Sequence, residues 1–142
     1  MGSILLDTNV LSELMRPEPA PVVLDWFNRQ QGTSYFVSAI TRAEILLGIA
    51  LLPAGKRRDS LAAAAEQMFE EDFAGHSLTF DGNSAPEYAL LVAGRTRRGH
   101  AISTEDGLIA ATALHHELPL ATRNCKDFEG IAGLTVLNPW EG

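Results

Sequence analysis

Short apolar runs alternate with longer helical segments along the chain, and this alternation constrains the fold more than any other feature of the sequence. The runs are found at 4–6, 35–37, 77–80, 120–122 and 135–137. Strands that are joined through helices pair in parallel, because each helical crossover returns the chain to the same end of the sheet. We therefore expect an α/β fold with a mostly parallel central sheet and helices on both of its faces.

The domain organisation and the cellular compartment follow from length and composition. The 142 residues contain no repeat, linker or charge run that divides them, so we expect a single domain over 1–142. Hydrophobic residues make up 46% of the chain, which is enough for a core. No apolar run approaches the ~20 residues of a membrane span, and no signal peptide is recognisable. With Cys125 as the single cysteine, an internal disulfide is excluded, and we predict a soluble cytoplasmic protein without a membrane segment.

The charge distribution bears on nucleic-acid binding. A net charge of −7 argues against a protein that coats nucleic acid by bulk positive charge. Arginines nevertheless form clusters, one of them containing Arg95, Arg97 and Arg98 and another containing Arg123. The arginine fork suits contacts to phosphate, whereas basic residues at a helix end often only face solvent. The cluster around Arg95 is therefore either a contact to a phosphate backbone or a solvated helix end, and the sequence leaves both interpretations open.

Three acidic residues stand out because each follows a predicted strand or opens a predicted helix: Asp7, Glu44 and Asp106. In a parallel sheet, ligands bind beyond the carboxyl ends of the strands, so we expect all three to face one crevice. Carboxylates gathered there repel one another by about 1 kcal/mol per pair at 4 Å in water, and a hard cation such as Mg²⁺ removes that repulsion. One or two such ions can activate water and stabilise the departing oxygen of a phosphodiester.

Helix capping is the alternative explanation for each acid. The segments 41–44 (Thr-Arg-Ala-Glu) and 103–106 (Ser-Thr-Glu-Asp) both have the form of a capping box, in which the last residue reaches back to the start of the helix. Thr8 or Asn9 is expected to cap the first helix, and Asp7 acts as a cap only if it accepts the amides that follow it. The spacing of these acids in the sequence does not decide between metal binding and helix capping.

The segments around these acids resemble PIN-domain ribonucleases, especially the VapC-type toxins of bacterial toxin–antitoxin pairs. The similar segments occur in the family's order and are 4–11 (ILLDTNVL), 38–48 (SAITRAEILLG), 106–113 (DGLIAATA), 120–128 (LATRNCKDF) and 133–139 (GLTVLNP). The resemblance implies an α/β PIN-like domain that acts as a Mg²⁺- or Mn²⁺-dependent endoribonuclease. It would hydrolyse RNA phosphodiester bonds as the toxin of a type II toxin–antitoxin system.

The same resemblance implies roles for individual residues and partners. Asp7 and Asp106 would ligate Mg²⁺ or Mn²⁺, and Glu44 would complete the acidic cluster directly or through water. The family often has a fourth acid where this chain has Asn124, which can still accept a hydrogen bond or orient a water, and Asp127 is a candidate to replace that acid. The implied catalytic set is therefore Asp7, Glu44, Asp106 and Asn124. The implied partners are an RNA substrate, a second copy of the chain in a homodimer, and a small DNA-binding antitoxin of which one segment fills the cleft.

Two other functions remain open at this point. A phosphoaspartate-type phosphatase also places an Asp after its first strand, but the haloacid-dehalogenase type needs a second Asp two residues later, where this chain has Asn9. Only Lys56 or Lys126 would be available to bind its phosphate. The second alternative is a catalytically silent PIN-like module that binds a partner, and the presence of all three acids argues against it.

Overall fold

The computed structural model describes residues 2–142, and this part of the chain folds into a five-stranded sheet flanked by six α-helices. The strands are β1 (Ser3–Leu6), β2 (Ser34–Ser38), β3 (Ser77–Leu78), β4 (Leu120–Ala121) and β5 (Val136–Leu137). They lie in the order β3-β2-β1-β4-β5, and every neighbouring pair is parallel. The predicted α/β fold with a parallel central sheet is confirmed.

Helices fill the connections between the strands. They are α1 (Thr8–Leu14), α2 (Pro21–Arg29), α3 (Ala39–Ala50), α4 (Lys56–Gln67), α5 (Ala85–Arg97) and α6 (Thr104–His115), with a π-helical turn at Met68–Asp72 and a 3₁₀ turn at Cys125–Phe128. No helix within residues 2–142 is long and apolar enough to cross a membrane.

Two apolar clusters cover the two faces of the sheet, and β1 contributes to both. Ile4 and Leu6 pack with residues of α1, α2, α3 and α4, whereas Leu5 packs with residues of α5 and α6 such as Leu91 and Ile109. Successive side chains of a strand point to opposite faces, so a central strand that is apolar throughout requires helices on both sides. The run at 4–6 therefore places β1 in the middle of the fold.

The carboxyl ends of β1, β2 and β4 meet at one edge of the sheet. Leu6 pairs with Ala121 at the end of β4, and the next residue, Asp7, donates its backbone N–H to the Ala121 carbonyl at 2.9 Å. On the other side of β1, the end of β2 is Ser38, which leads directly into α3. This edge therefore brings together segments that are far apart in the sequence.

Two helix starts differ from the predictions. Helix α3 begins at Ala39, and its cap is Ser38, whose hydroxyl accepts the Thr41 N–H at 3.0 Å. The predicted capping box at 41–44 is therefore wrong, and Glu44 lies in the second turn, where its carboxylate is not required for capping. Helix α1 is capped by Asp7 and not by Thr8 or Asn9, because the Asp7 carboxylate accepts the N–H of the next residue. Ser103 caps α6 as predicted.

Candidate active site

Asp7 is held in place at the end of β1 by three uncharged donors. Its Oδ1 accepts the Thr8 backbone N–H at 2.8 Å, and its Oδ2 accepts the Thr122 hydroxyl at 2.7 Å and the Asn9 side-chain amide at 3.3 Å. The residue is only 4% exposed. These contacts fix the carboxylate but do not neutralise its charge.

Glu44 reaches the same edge from α3. Its Oε1 accepts the Thr8 hydroxyl at 2.6 Å, and the hydroxyl oxygens of Thr8 and Thr41 are 3.0 Å apart. A hydroxyl carries one hydrogen, so Thr8 donates to Glu44 and its oxygen is left to accept from Thr41. Thr8 thus couples the first turn of α1 to the glutamate of α3.

A cavity of about 530 Å³ opens at this edge. All four residues of the predicted catalytic set line it, namely Asp7, Glu44, Asp106 and Asn124. Asp127, the candidate substitute for the fourth acid, is not part of this lining, although its charge acts on Asp106. The crevice predicted from the ends of parallel strands is therefore present, and its acids come from β1, α3 and α6.

Burial raises the pKa of Asp7 to about 6. Hydrogen bonds from Thr122 and Thr8 oppose this increase, and the negative charges of Asp106 and Glu44 add to it. Burial is also the largest cause that raises the pKa of Asp106, where the Ser103 hydroxyl opposes it. The repulsion among the acids is present, but desolvation of the carboxylates is the larger effect.

The arrangement of oxygen donors determines which metal ion suits the cavity. Within residues 2–142, no three His, Cys, Asp or Glu side chains come close enough together to enclose one metal ion. Mg²⁺ keeps several of its waters and is commonly bound through one or two carboxylates, whereas a site made only of protein ligands is rare for it. Asp7 and Asp106 line the same cavity and raise its negative charge together. Their donor chemistry fits a hydrated hard cation.

Thr122 and Asn9 belong to this site but were not predicted from the sequence as site residues. Besides the contact of Thr122 to Asp7, the Asn9 side chain donates to the Thr122 hydroxyl at 3.2 Å and accepts the Arg123 N–H at 3.1 Å. Asn9 thereby connects α1 to the end of β4. The position of Thr122 in the sequence could have indicated its role, because Thr122 directly follows β4 as Asp7 directly follows β1.

Glu13 is a further acid of the cavity wall, and its carboxylate is engaged by the neighbouring loop. It accepts the Ala20 N–H at 2.8 Å and the Arg16 guanidinium at 3.0 Å. The Ala20 hydrogen bond is the main cause that lowers the pKa of Glu13, and the charge of Arg16 contributes. Glu13 therefore anchors the proline-rich segment that connects α1 to α2.

The arginine cluster near the end of α5 does not line the cavity. Arg95 is 6% exposed, and its guanidinium donates to the carbonyls of His100, at 2.8 Å, and of Glu129. Arg98 donates to the Gly130 carbonyl at 2.8 Å. Neither interpretation holds for Arg95, because this buried side chain ties α5 to the segments that precede α6 and follow the 3₁₀ turn. Arg97 is exposed and lies outside the acidic cavity, as a solvated helix end does.

We expect Arg95→Met to lower the free energy of unfolding by about 2 to 3 kcal/mol, because two carbonyls lose a charged donor in a buried place. Arg97→Ala, which changes an exposed residue of the same helix, is the matched control and should stay within about 0.5 kcal/mol of wild type. Urea unfolding curves of the three proteins measure the difference. An Arg95→Met protein as stable as wild type would show that the two carbonyls do not need the guanidinium.

Comparison with known proteins identifies the class of protein that has this fold and this cavity. The family model of the PIN domain matches residues 4–134, a range that contains all four residues of the predicted catalytic set. The chain belongs to the PIN domain family.

Individual relatives cover almost the whole chain. The chain is 44% identical to the VapC ribonuclease Y4jK of Sinorhizobium fredii, over 97% of its own length and 98% of that protein. It is 43% identical to the toxin FitB of Neisseria gonorrhoeae, over 96% and 98% of the two lengths. A solved structure of FitAB bound to an IR36 DNA fragment superposes with a TM-score of 0.85 at 42% identity, covering 96% of this chain and 95% of that chain.

Proposed function

We propose that this protein is a metal-dependent endoribonuclease that hydrolyses RNA phosphodiester bonds as the toxin of a type II toxin–antitoxin system. The observation that carries the proposal is the cavity lined by Asp7, Glu44 and Asp106 at the carboxyl edge of a parallel sheet, in a chain of the PIN domain family. The names of two relatives, a VapC ribonuclease and a toxin, support the same activity.

In the proposed mechanism, Asp7 and Asp106 would hold Mg²⁺ or Mn²⁺. Such an ion, when bound, lowers the pKa of water and stabilises negative charge on the departing oxygen. Thr122 and the Thr8 amide keep the Asp7 carboxylate oriented, so little of its freedom has to be lost when the ion binds. Burial, with a smaller contribution from the charges of Asp106 and Glu44, raises the pKa of Asp7, and the same poorly solvated negative charge favours a cation in the cavity.

Glu44 and Asn124 act on the attacking water. Thr8 holds one carboxylate oxygen of Glu44, and the carboxylate can hold the water or accept its proton. Asn124 lines the same cavity, from the segment after β4, and offers an amide oxygen as acceptor. An amide carries no charge, so it orients water but contributes less to cation binding than a carboxylate does.

The proposal extends to the assembly. We infer that residues 1–142 act as a single domain, that two copies form a homodimer, and that a small DNA-binding antitoxin in the cytoplasm places one of its segments in the cleft. The similarity to FitB and to a FitAB structure bound to DNA supports this partner. Light scattering should give about twice the mass of one chain, and co-expression with the product of the adjoining open reading frame should inhibit cleavage.

Contacts at the site favour the nuclease over the phosphatase. The residue that a haloacid-dehalogenase-type phosphatase would need as its second Asp is Asn9, and its amide connects Asp7 to Thr122. The two lysines that were candidates to bind the phosphate, Lys56 and Lys126, do not line the acidic cavity. A phosphorylated Asp7 would also disturb the hydrogen bonds at the carboxylate oxygen that carries the phosphoryl group, which are the Thr8 contact at Oδ1 or the Thr122 and Asn9 contacts at Oδ2.

The decisive experiment is cleavage of single-stranded RNA by the purified protein. We expect cleavage with Mg²⁺ or Mn²⁺, loss of cleavage with a chelator, and recovery when the ion is added in excess. Undiminished cleavage in excess chelator would contradict the metal-dependent mechanism. Absence of RNA cleavage with either ion would favour the silent partner-binding module, or the phosphatase if a small phosphoester is hydrolysed instead.

A further inference from the structure

A cation–aromatic pair forms part of the wall of the acidic cavity, and the proposed metal chemistry does not use it. The guanidinium carbon of Arg123 lies 4.9 Å from the centre of the Trp140 ring. Both residues line the cavity together with Asp7 and Asp106. The pair therefore presents a positive charge beside the carboxylates that are proposed to hold the metal ion.

Both members of the pair are fixed to the edge of the sheet. Arg123 directly follows Thr122, and its backbone N–H donates to the Asn9 side chain at 3.1 Å. The Trp140 backbone N–H donates to Oδ1 of Asn138 at 2.9 Å, and the indole packs against the apolar cluster on one face of the sheet. The aromatic ring thus supports the guanidinium from the side of the protein core.

The stacking leaves the hydrogen-bond donors of Arg123 available. A guanidinium that lies over an aromatic ring uses its face, whereas its N–H donors point outward in its own plane. The ion pairs found within residues 2–142 are Arg16 with Glu13 and Arg42 with Glu70, so Arg16 shares the cavity with Arg123 but is already bound to a carboxylate. Arg123 is exposed and forms no ion pair within 4.0 Å in the described chain. Its charge acts at longer range on Glu13, where it is the smallest of the causes that lower the pKa of that carboxyl.

An RNA strand in this cavity needs a cation besides the metal ion. The chain carries a net charge of −7, so its overall field does not attract RNA, and the acids of the cavity repel phosphate. A metal ion held by Asp7 and Asp106 would compensate the charge of the phosphate that is cleaved. A neighbouring phosphate of the same strand requires a second, local positive charge, and the planar fork of an arginine matches its oxygens.

We propose that Arg123, supported by Trp140, binds a phosphate of the RNA strand next to the one that is cleaved. This inference rests on the proposed ribonuclease function and adds the residue that positions the strand. Arg123 contacts substrate in this proposal, and Trp140 is a positioning residue that acts through Arg123. The contact belongs to substrate binding, so its loss should change KM more than kcat.

The test uses a single-stranded RNA oligomer that the wild-type protein cleaves, at several salt concentrations. Arg123→Ala should raise KM about tenfold with kcat nearly unchanged, and it should reduce the slope of log KM against log salt concentration by about 0.7, the value for one phosphate contact on a single strand. Arg97→Ala, which removes an exposed arginine that does not line the cavity, is the matched control and should change neither quantity.

Variants of Trp140 separate its support of Arg123 from a general role in packing. Trp140→Phe retains an aromatic face and should keep KM near the wild-type value. Trp140→Leu should raise KM severalfold while the salt slope stays unchanged, because the charge of Arg123 is still present. Thermal melts identify any variant that fails to fold. If Arg123→Ala is such a variant, Arg123→Lys takes its place. The salt slope of Arg123→Lys should equal that of wild type, because the charge is kept, but its KM should stay above the wild-type value, because the planar fork is lost.

A binding readout makes the test independent of turnover. The chain has two tryptophans, so in a Trp26→Phe, Asp106→Asn background Trp140 is the remaining indole and cleavage is blocked. RNA should change the Trp140 fluorescence in this protein, and Arg123→Ala should raise the RNA concentration of the half-maximal response about tenfold. An unchanged KM, salt slope and fluorescence response in Arg123→Ala would overturn the inference while wild-type cleavage leaves the proposed function intact. A wild-type protein that cleaves no RNA would refute the proposed function itself.

Discussion

An Asp7→Asn variant is expected to lose RNA cleavage by at least about a hundredfold and, without divalent metal, to be more stable than wild type at neutral pH. Asn keeps the size of the side chain, and its amide can still accept the Thr8 N–H. It removes the buried negative charge that the proposed mechanism uses for the metal ion. The pKa of about 6, compared with the ordinary 3.8, means that the ionised Asp7 destabilises the fold at neutral pH by about 3 kcal/mol.

The measurement combines kcat/KM on RNA with thermal melts in the presence and absence of Mg²⁺. Wild type should melt at a higher temperature when Mg²⁺ is added, and the Asp7→Asn protein should show little of this increase. Asp25→Asn, an exposed change on α2 outside the cavity, is the matched control and should behave like wild type. An Asp7→Asn protein that cleaves normally would remove Asp7 from the catalytic set.

Acidification of the metal-free protein should reveal the titration of Asp7. Its folded-state pKa lies above its unfolded value, so the folded state binds more protons, and stability falls as pH rises through about 6. The contribution is fully present below the ordinary pKa of 3.8. Between pH 8 and pH 5, the free energy of unfolding of wild type should rise by about 1.5 kcal/mol relative to that of Asp7→Asn.

The difference in the free energy of unfolding between wild type and Asp7→Asn removes the contributions of the other groups that titrate. The raised pKa of Asp106 acts in the same direction as that of Asp7, and the lowered pKa of Glu13 acts in the opposite direction, but both groups are common to the two proteins. Urea unfolding at each pH measures the difference. Parallel curves for wild type and variant would show that the Asp7 carboxylate is not desolvated in solution. With saturating Mg²⁺, the free energy of unfolding of wild type relative to Asp7→Asn should instead fall as the pH is lowered, because the ion binds the ionised Asp7 carboxylate.

The parallel sheet and the gathering of Asp7, Glu44 and Asp106 were predictable from the sequence because they depend on local pattern and chain direction. Apolar runs that alternate with helices require parallel strands, and parallel strands place the residues that follow them at one edge. The run at 4–6 forms the central strand, which packs on both of its faces as a continuous apolar run requires. These features need no knowledge of which side chains touch.

The tertiary structure alone decided what individual polar groups do, because burial and partners depend on residues that are distant in sequence. Thr122, which holds the Asp7 carboxylate, is 115 positions away from it, and the desolvation that raises the pKa of Asp7 comes from packing of the whole edge. The same reason explains the arginines. Arg95 and Arg123 are the same type of residue, but packing buries the Arg95 side chain against backbone carbonyls and places the Arg123 guanidinium over an indole in the cavity of the acids.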